Sequence, residues 1–329
     1  MKVLFIGGTG IISSACSSLA VQNGIELYML NRGQSFRLPP EGANLLKADI
    51  RKPVTVSEAI KGIKFDAVVD WVAYTPEQVK IDLGLFRGNT SQYIFISSAS
   101  AYQKPPSKVP ITETTPLYNP YWQYSRNKIA CENLLLETYR NEEYPITIVR
   151  PSHTYDRSSI PIQGRWTTID RMLQGKEVII HGDGTSLWTL THHADFATGF
   201  NGLLGNSSSL GEAYHITSDE WLTWNQIFES LAAAAGIKPK IVHVPSEVIN
   251  SFDQDWGAGL LGDKAHCGIF DNTKIKNIVP GFHATTPFSH GAEEIIAWHR
   301  TNPMYQVVDY QFNDLCDRII SAQKRVFSS

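Results

Sequence analysis

Six short apolar runs recur through residues 1–150, each separated from the next by a longer stretch: KVLFIGG, IELYMLNRG, NLLKADI, FDAVVDWVA, YIFISSAS and ITIVRPS. Strand candidates alternating with amphipathic segments do not pair as tight hairpins. The pattern predicts an α/β chain with a doubly wound parallel sheet of the Rossmann type. Several runs are apolar at consecutive positions, as a strand covered on both faces requires. Each run ends in small or polar residues, and in this architecture ligands bind beyond the carboxyl ends of the strands. The chemistry is expected there.

The first run continues as VLFIGGTGIIS, so a strand leads through Gly7, Gly8, Thr9, Gly10, Ile11 and Ile12 to Ser13, with a helix expected from near Ser14. Gly7 suits a tight turn, and Gly10 the close approach of a pyrophosphate to a helix N-terminus. Ser13 is small enough for helix and strand to pack. The plain alternative is an ordinary glycine turn, but a glycine loop placed between the first strand and the first helix favours dinucleotide binding. This reading makes residues 1–150 a dinucleotide-binding domain, to which some later segments can return.

About twenty residues further on, sites that prefer NAD carry an Asp or Glu for the ribose hydroxyl. Here the second run ends in Asn31, Arg32 and Gly33. A guanidinium at that place can form a fork with a 2′-phosphate, which favours NADP over NAD, unless Arg32 merely occupies an exposed turn. Asp49, followed by Ile50, either accepts from the adenine amino group or caps the next helix.

After Pro151 the pattern loosens into loops, an amphipathic stretch at WTTIDRMLQGKE, a strand at VIIHG and a helix over TWNQIFESLAAAAG. Residues 151–329 are therefore expected to form mainly a smaller substrate-binding lobe. GNSSSLGE reads as a surface loop, because structured signals resume at once in AYHIT.

Composition excludes more than it selects. With 42% hydrophobic and 19% charged residues in 329, the chain can build one large core or two lobes. A net charge of −3 gives no overall electrostatic reason to bind nucleic acid. The opening MKVLFIGG enters a buried-strand pattern directly, and no window holds eighteen unbroken apolar residues, so a soluble cytoplasmic protein without membrane association is expected. Cys16, Cys131, Cys267 and Cys316 lie far apart without a CxxC pair, which argues against a zinc knuckle or a disulfide framework. The glycosylation-like tripeptide at Asn89 carries no weight without a secretory signal. His192 and His193 invite a metal reading, but neighbouring strand residues face opposite ways and no further ligand stands at suitable spacing, so no metal is expected.

The pentapeptide YSRNK puts Tyr124 four residues before Lys128, which on a helix brings phenol and ammonium onto one face. Taken alone, that is equally a solvated patch. With SSASAY ending the fifth run, Arg150-Pro151, and GDGTSLWTLTHHAD from Gly182 to Asp195, the chain resembles the extended short-chain dehydrogenase/reductase family, which contains NAD(P)-dependent sugar epimerases and dehydratases. The resemblance covers most of the chain. It implies that Tyr124 is the general acid/base, that Lys128 holds the nicotinamide ribose and lowers the phenol pKa, and that Ser98, ahead of its rivals Ser97 and Ser100, bonds the reacting oxygen. It further implies that Val72 and Ala73 line the cofactor and that Pro151 to His153 approach the carboxamide.

Departures from the family bear on the substrate. Family dehydratases follow the catalytic hydroxyl with Asp-Glu, whereas Ser98 is followed by Ala99 and Ser100, which disfavours elimination of water. Trp188 and Thr189 stand where epimerases carry a diphosphate-binding Arg and its following Asp, and a second such Arg is missing before Gly262-Asp263. Charge-assisted forks contribute ~1.5–3 kcal/mol each, so a nucleotide-sugar binds poorly unless Arg157, Arg165 or Lys264 compensates. The expected function is an NAD(P)-dependent oxidoreductase or epimerase working on a hydroxyl or carbonyl of a sugar-like small molecule. GGTGIIS with LNRG and the later FDNTKIKNIVPGF also resembles atypical branches related to the chloroplast stem-loop-binding proteins, which leaves an RNA-binding alternative, and an NADP-sensing regulator without turnover is another. The family also pairs the segments Glu77 to Arg87 and Tyr124 to Glu137 into a four-helix bundle, which implies a homodimer.

Overall fold

The computed structural model describes residues 1–327. The first half runs β1 (Lys2–Ile6), α1 (Ile11–Gln22), β2 (Glu26–Asn31), β3 (Asn44–Lys47), α2 (Pro53–Ala59), β4 (Ala67–Asp70), α3 (Pro76–Phe86), β5 (Tyr93–Ile96), α4 (Gln123–Glu142) and β6 (Ile146–Pro151). The second half runs β7 (His153–Tyr155), α5 (Trp166–Leu173), β8 (Glu177–His181), β9 (Leu187–Trp188), β10 (Leu190–His192), α6 (His193–Asn201), β11 (Ala213–Ile216), β12 (Leu222–Thr223), α7 (Trp224–Ala235) and β13 (Lys240–Val244). Helices α8 (Ser246–Phe252), α9 (Gln254–Gly259), α10 (Thr273–Ile278), α11 (Phe288–Thr301) and α12 (Tyr310–Phe327) close the chain, with a π-helical turn over Leu260–Lys264.

Seven parallel strands form the central sheet in the order β11-β6-β5-β4-β1-β2-β3. All six expected runs supply strands. In β1 the side chains of Val3 and Phe5 enter one core with Met29, Val69 and Phe200, while Leu4 and Ile6 enter the other with Val68, Phe95 and Ile148. Burial on both faces is why consecutive positions are apolar.

The AYHIT segment becomes β11, which pairs with β6 and lengthens the sheet that the first half began. Helix α6 packs beside α1 through the core containing Phe196, Phe200 and Ala20. Three two-stranded sheets, β7 with β10, β8 with β13 and β9 with β12, surround a separate core of Trp166, Ile169, Val178, Trp224, Phe228 and Ile295. Residues that line the space between the two cores come from both halves of the chain.

Helix α1 begins at Ile11, three residues before the expected Ser14, because extended Gly10 ends the turn and serves as its N-cap. His192 and His193 do not face opposite ways. Strand β10 stops at His192 and α6 starts at His193, so the chain bends there and brings the two rings to 4.6 Å between centroids. His192 Nε2 lies 3.1 Å from the Glu294 carboxylate. Among the described residues no group of three or more His, Cys, Asp or Glu is arranged to hold a metal ion, and no helix is long and apolar enough to cross a membrane. The cysteines are free, with Cys16, Cys131 and Cys316 buried.

Candidate functional site

The glycine loop takes its shape from two left-handed residues. Gly7 has φ of +100° and Gly8 φ of +95°; a Cβ on Gly7 would come within 2.9 Å of Val72 Cγ1, and one on Gly8 within 2.7 Å of Met29 Cε. Gly8 therefore carries a backbone demand that the sequence spacing had not singled out. Its carbonyl accepts from Ser17 Oγ at 2.9 Å, and Ser13 Oγ accepts from the Gly10 N–H at 2.7 Å. The first amides of α1, at Ile11, Ile12 and Ser13, have no carbonyl one turn earlier in the helix and are available to an anion.

Two clefts meet at this loop. One, of about 510 Å³, is lined by Gly7, Thr9, Asn31 to Ser35, Asp49 to Arg51, and the segment Asp70 to Tyr74 except Trp71. The other, of about 590 Å³, is lined by Gly10 to Ser13, Ser97 to Ser100, Tyr124, Lys128, Pro151 to Thr154 and residues of the second core. All the residues expected to bind cofactor line one cleft or the other.

At the sheet end of the first cleft, Arg32 is exposed and Asn31 Oδ1 accepts from the Gly33 N–H at 2.9 Å. Asp49 does not cap α2, whose N-cap is Lys52. Its carboxylate instead takes Arg51 Nε at 2.9 Å and Nη2 at 2.7 Å, and this pairing holds its pKa at about 2. Arg51 is thus a second guanidinium beside the cleft, unnoticed in the sequence because nothing in its spacing marks it.

Asp70, at the end of β4, accepts from the Val72 and Ala73 amides at 2.7 and 3.0 Å. Tyr93 donates to Asp82 at 2.8 Å, and burial, with Asp70 nearby, pushes the Asp82 carboxyl well above its usual range. The turn so fixed presents the Ala73 carbonyl to Lys128, whose Nζ donates to it and to the Ile96 carbonyl, both at 2.7 Å. Burial lowers the Lys128 pKa to about 8, against the opposing influence of Asp70.

Helix α4 carries Tyr124 in its first turn, held in place by Asn119. The Asn119 side chain accepts from the Tyr121 and Trp122 amides and donates to the carbonyls of Ser100 and Gly262. Tyr124 lies against Trp122 and Tyr74 and lines the same cleft as Ser98. Burial dominates its environment and pushes the phenol up to about 12, with the neighbouring Ser98 hydroxyl opposing. The protein's own groups therefore favour the neutral phenol, contrary to the lowering expected from Lys128, whose ammonium is turned toward carbonyls.

The three adjacent serines are separated by their partners. Ser97 donates to Glu132, which forms a buried bidentate pair with Arg150. Ser100 bridges Ser98 and Ser125 at 2.9 and 2.8 Å. Ser98 is the serine whose hydroxyl acts on Tyr124, opposing the effect of burial.

Beyond Tyr124 the second cleft is aromatic, with Trp122, Trp188, Trp224, Phe228 and Trp256 in its wall. His153 Nδ1 accepts from Trp188 Nε1 at 3.3 Å, and burial together with Lys264 drives its pKa down to about 3, so the imidazole is neutral. Of the cations considered as compensation for missing arginines, Lys264 and the exposed Arg165 line the cleft, and Arg157 is exposed at the surface.

The model of the NAD dependent epimerase/dehydratase family matches residues 3–217. The chain is 27% identical over 256 residues, 74% of its length and 65% of the relative's, to the chloroplast stem-loop binding protein of 41 kDa b from Arabidopsis thaliana. It is 32% identical over 154 residues, 41% of its length and 46% of the relative's, to a UDP-glucose 4-epimerase of Lactobacillus helveticus. The matches thus span about half to two thirds of these relatives' lengths. Among solved structures, the UDP-glucose 4-epimerase from Bifidobacterium longum in complex with NAD+ and UDP superposes with a TM-score of 0.73, at 18% identity, covering 92% of this chain and 99% of that one. At that identity the likeness shows the fold.

Proposed function

The chain belongs to the NAD dependent epimerase/dehydratase family, and from that membership we propose that it is an NAD(P)-dependent oxidoreductase or epimerase acting on a hydroxyl or carbonyl of a sugar-like small molecule through Ser98, Tyr124 and Lys128. The observation that carries this reading is that Ser98, Tyr124 and Lys128 line one cleft together with the glycine loop at the start of α1. The donor set suits a dinucleotide: the free amides of α1 for the pyrophosphate, the first cleft for the adenosine, and Lys128 beside the second. When bound, the nicotinamide supplies the hydride acceptor or donor.

The chain's own residues handle the proton. A neutral phenol, the form that burial favours here, is ready to donate to a carbonyl oxygen held by Ser98. In the opposite direction Tyr124 must first be deprotonated, and a positive charge brought to the cleft lowers that cost. Lys128 fixes the turn at Ala73 and the end of β5, and so the register between cofactor cleft and α4. Neutral His153, held by Trp188, offers a hydrogen-bonding group at the start of β7 without adding charge.

Arg32 and Arg51 together outnumber Asp49 at the adenosine end, which supports preference for NADP through a 2′-phosphate. We read residues 1–150, joined by α6 and β11, as the cofactor domain and most of 151–329 as the substrate lobe. We also read the chain as a cytoplasmic homodimer through α3 and α4, where Leu85 and Leu134 are half-buried on the core. The test is turnover of an alcohol and carbonyl panel with each cofactor, wild type against Tyr124→Phe. RNA binding is the second reading, favoured by the likeness to the stem-loop binding protein; the gathering of Ser98, Tyr124 and Lys128 in one cleft serves no purpose in it.

A further inference from the structure

Among the described residues, positive charge exceeds negative where Lys264 enters the second cleft. Two ammonium groups, Lys104 and Lys264, share one carboxylate, Asp263. Lys104, with its side chain 1% exposed, takes the close contact at 3.1 Å, and Lys264 is left at 3.9 Å. Its Nζ lies 5.3 Å from the Trp122 ring centre and 6.0 Å from that of Trp188, both in the cleft wall. Lys128, the other lysine there, is committed to two carbonyls.

Lys264 is also rigidly placed. It ends the π-helical turn Leu260–Lys264, a local irregularity found mostly at functional sites. Its carbonyl accepts from His181 Nε2 at 3.0 Å, Trp224 Nε1 at 3.1 Å and Ser186 Oγ at 3.3 Å. Three donors from three segments hold one carbonyl, so the side chain leaves the backbone from a fixed point. Burial, joined by the nearby Lys104, lowers its pKa against the opposing influence of Asp263.

We propose that Lys264 anchors the carboxylate of a monoanionic, hydroxyl-bearing substrate, a sugar acid being the fitting class. One uncompensated positive charge between tryptophan faces matches one negative charge on a ring with an apolar face. A diphosphate needs a second cation facing the cleft; Lys104 takes the close contact with Asp263 and does not line it, and Arg165, which does, is exposed. The inference rests on the oxidoreductase reading above.

The test uses the full chain with NADP+ present and the matched probes D-glucuronate, D-glucose and D-glucose 6-phosphate. Binding is followed by tryptophan fluorescence, because Trp122 and Trp188 border Lys264. Glucuronate is expected to bind at least ~10-fold more tightly than glucose, as one charge-assisted bond would give. Lys264→Met should erase that difference, and Lys264→Arg should keep most of it. Equal binding of acid and neutral sugar, binding of neither, a preference that survives Lys264→Met, or tighter binding of the phosphate each overturns the assignment. Cofactor affinity and Tyr124-dependent turnover, measured separately, report on the oxidoreductase reading whatever the sugars do.

Discussion

The Lys128 ammonium lies 6.0 Å from the centre of the Tyr124 ring, one helical turn away on α4, yet donates to the carbonyls of Ala73 and Ile96. The two side chains share a face as their spacing requires. Their relationship is nonetheless indirect: Lys128 ties the cofactor-side turn to β5, whereas Tyr124 shares the second cleft with Ser98.

Replacing Tyr124 with Phe removes the transferable proton and little surface. Turnover is expected to fall by ~10²–10⁴-fold with cofactor affinity nearly intact; retention of more than about a tenth of kcat would refute the acid–base role. The phenol's raised pKa has a stability consequence. Favouring of the neutral form is fully present below the unfolded value of 10.0 and is lost as pH rises toward about 12. The stability difference between wild type and Tyr124→Phe, from urea titrations at stepped pH, should change in that window and be flat below it.

Ser98→Ala should slow turnover by at least ~10-fold with little change in melting temperature, because its partners lie in the cleft. Ser97→Ala should do the reverse, since Ser97 serves the buried Glu132–Arg150 pair. Truncating a member of that pair, as in Arg150→Ala, leaves a buried charge and should cost about 3–5 kcal/mol. Thermal unfolding and steady-state kinetics of the three variants separate the roles; equal kinetic loss in both serine variants would count against the assignment.

Arg32→Ala should weaken NADP+ at least ~10-fold and NAD+ far less, as expected on losing one guanidinium–phosphate fork. Titration calorimetry with both cofactors decides it. Equal affinities in the wild type would exclude the preference.

Leu85→Asp puts a charge on the half-buried face of α3 and should shift a dimer to monomer without unfolding. Light scattering that finds wild-type monomer at micromolar concentration would end the dimer reading, and an intact mutant dimer would place the interface elsewhere.

Six of the seven strands of the central sheet, the glycine turn between β1 and α1, and the common face of Tyr124 and Lys128 were legible in the sequence, because each depends on local periodicity or on a backbone shape that glycine alone adopts readily. What the chain does at Ser97, Ser98 and Ser100 was not legible by spacing. The three stand at a strand end where backbone direction changes, and their partners, Glu132, Tyr124 and Ser125, arrive from α4. Asp70 and Lys264 belong to the same class. An ordinary acid after an apolar run becomes the clamp of a turn, and an ordinary lysine becomes an unbalanced cation, through neighbours distant in sequence. Local sequence determined the elements and the pairs within them; the tertiary structure decided which charges are buried, because burial depends on what packs across the cleft.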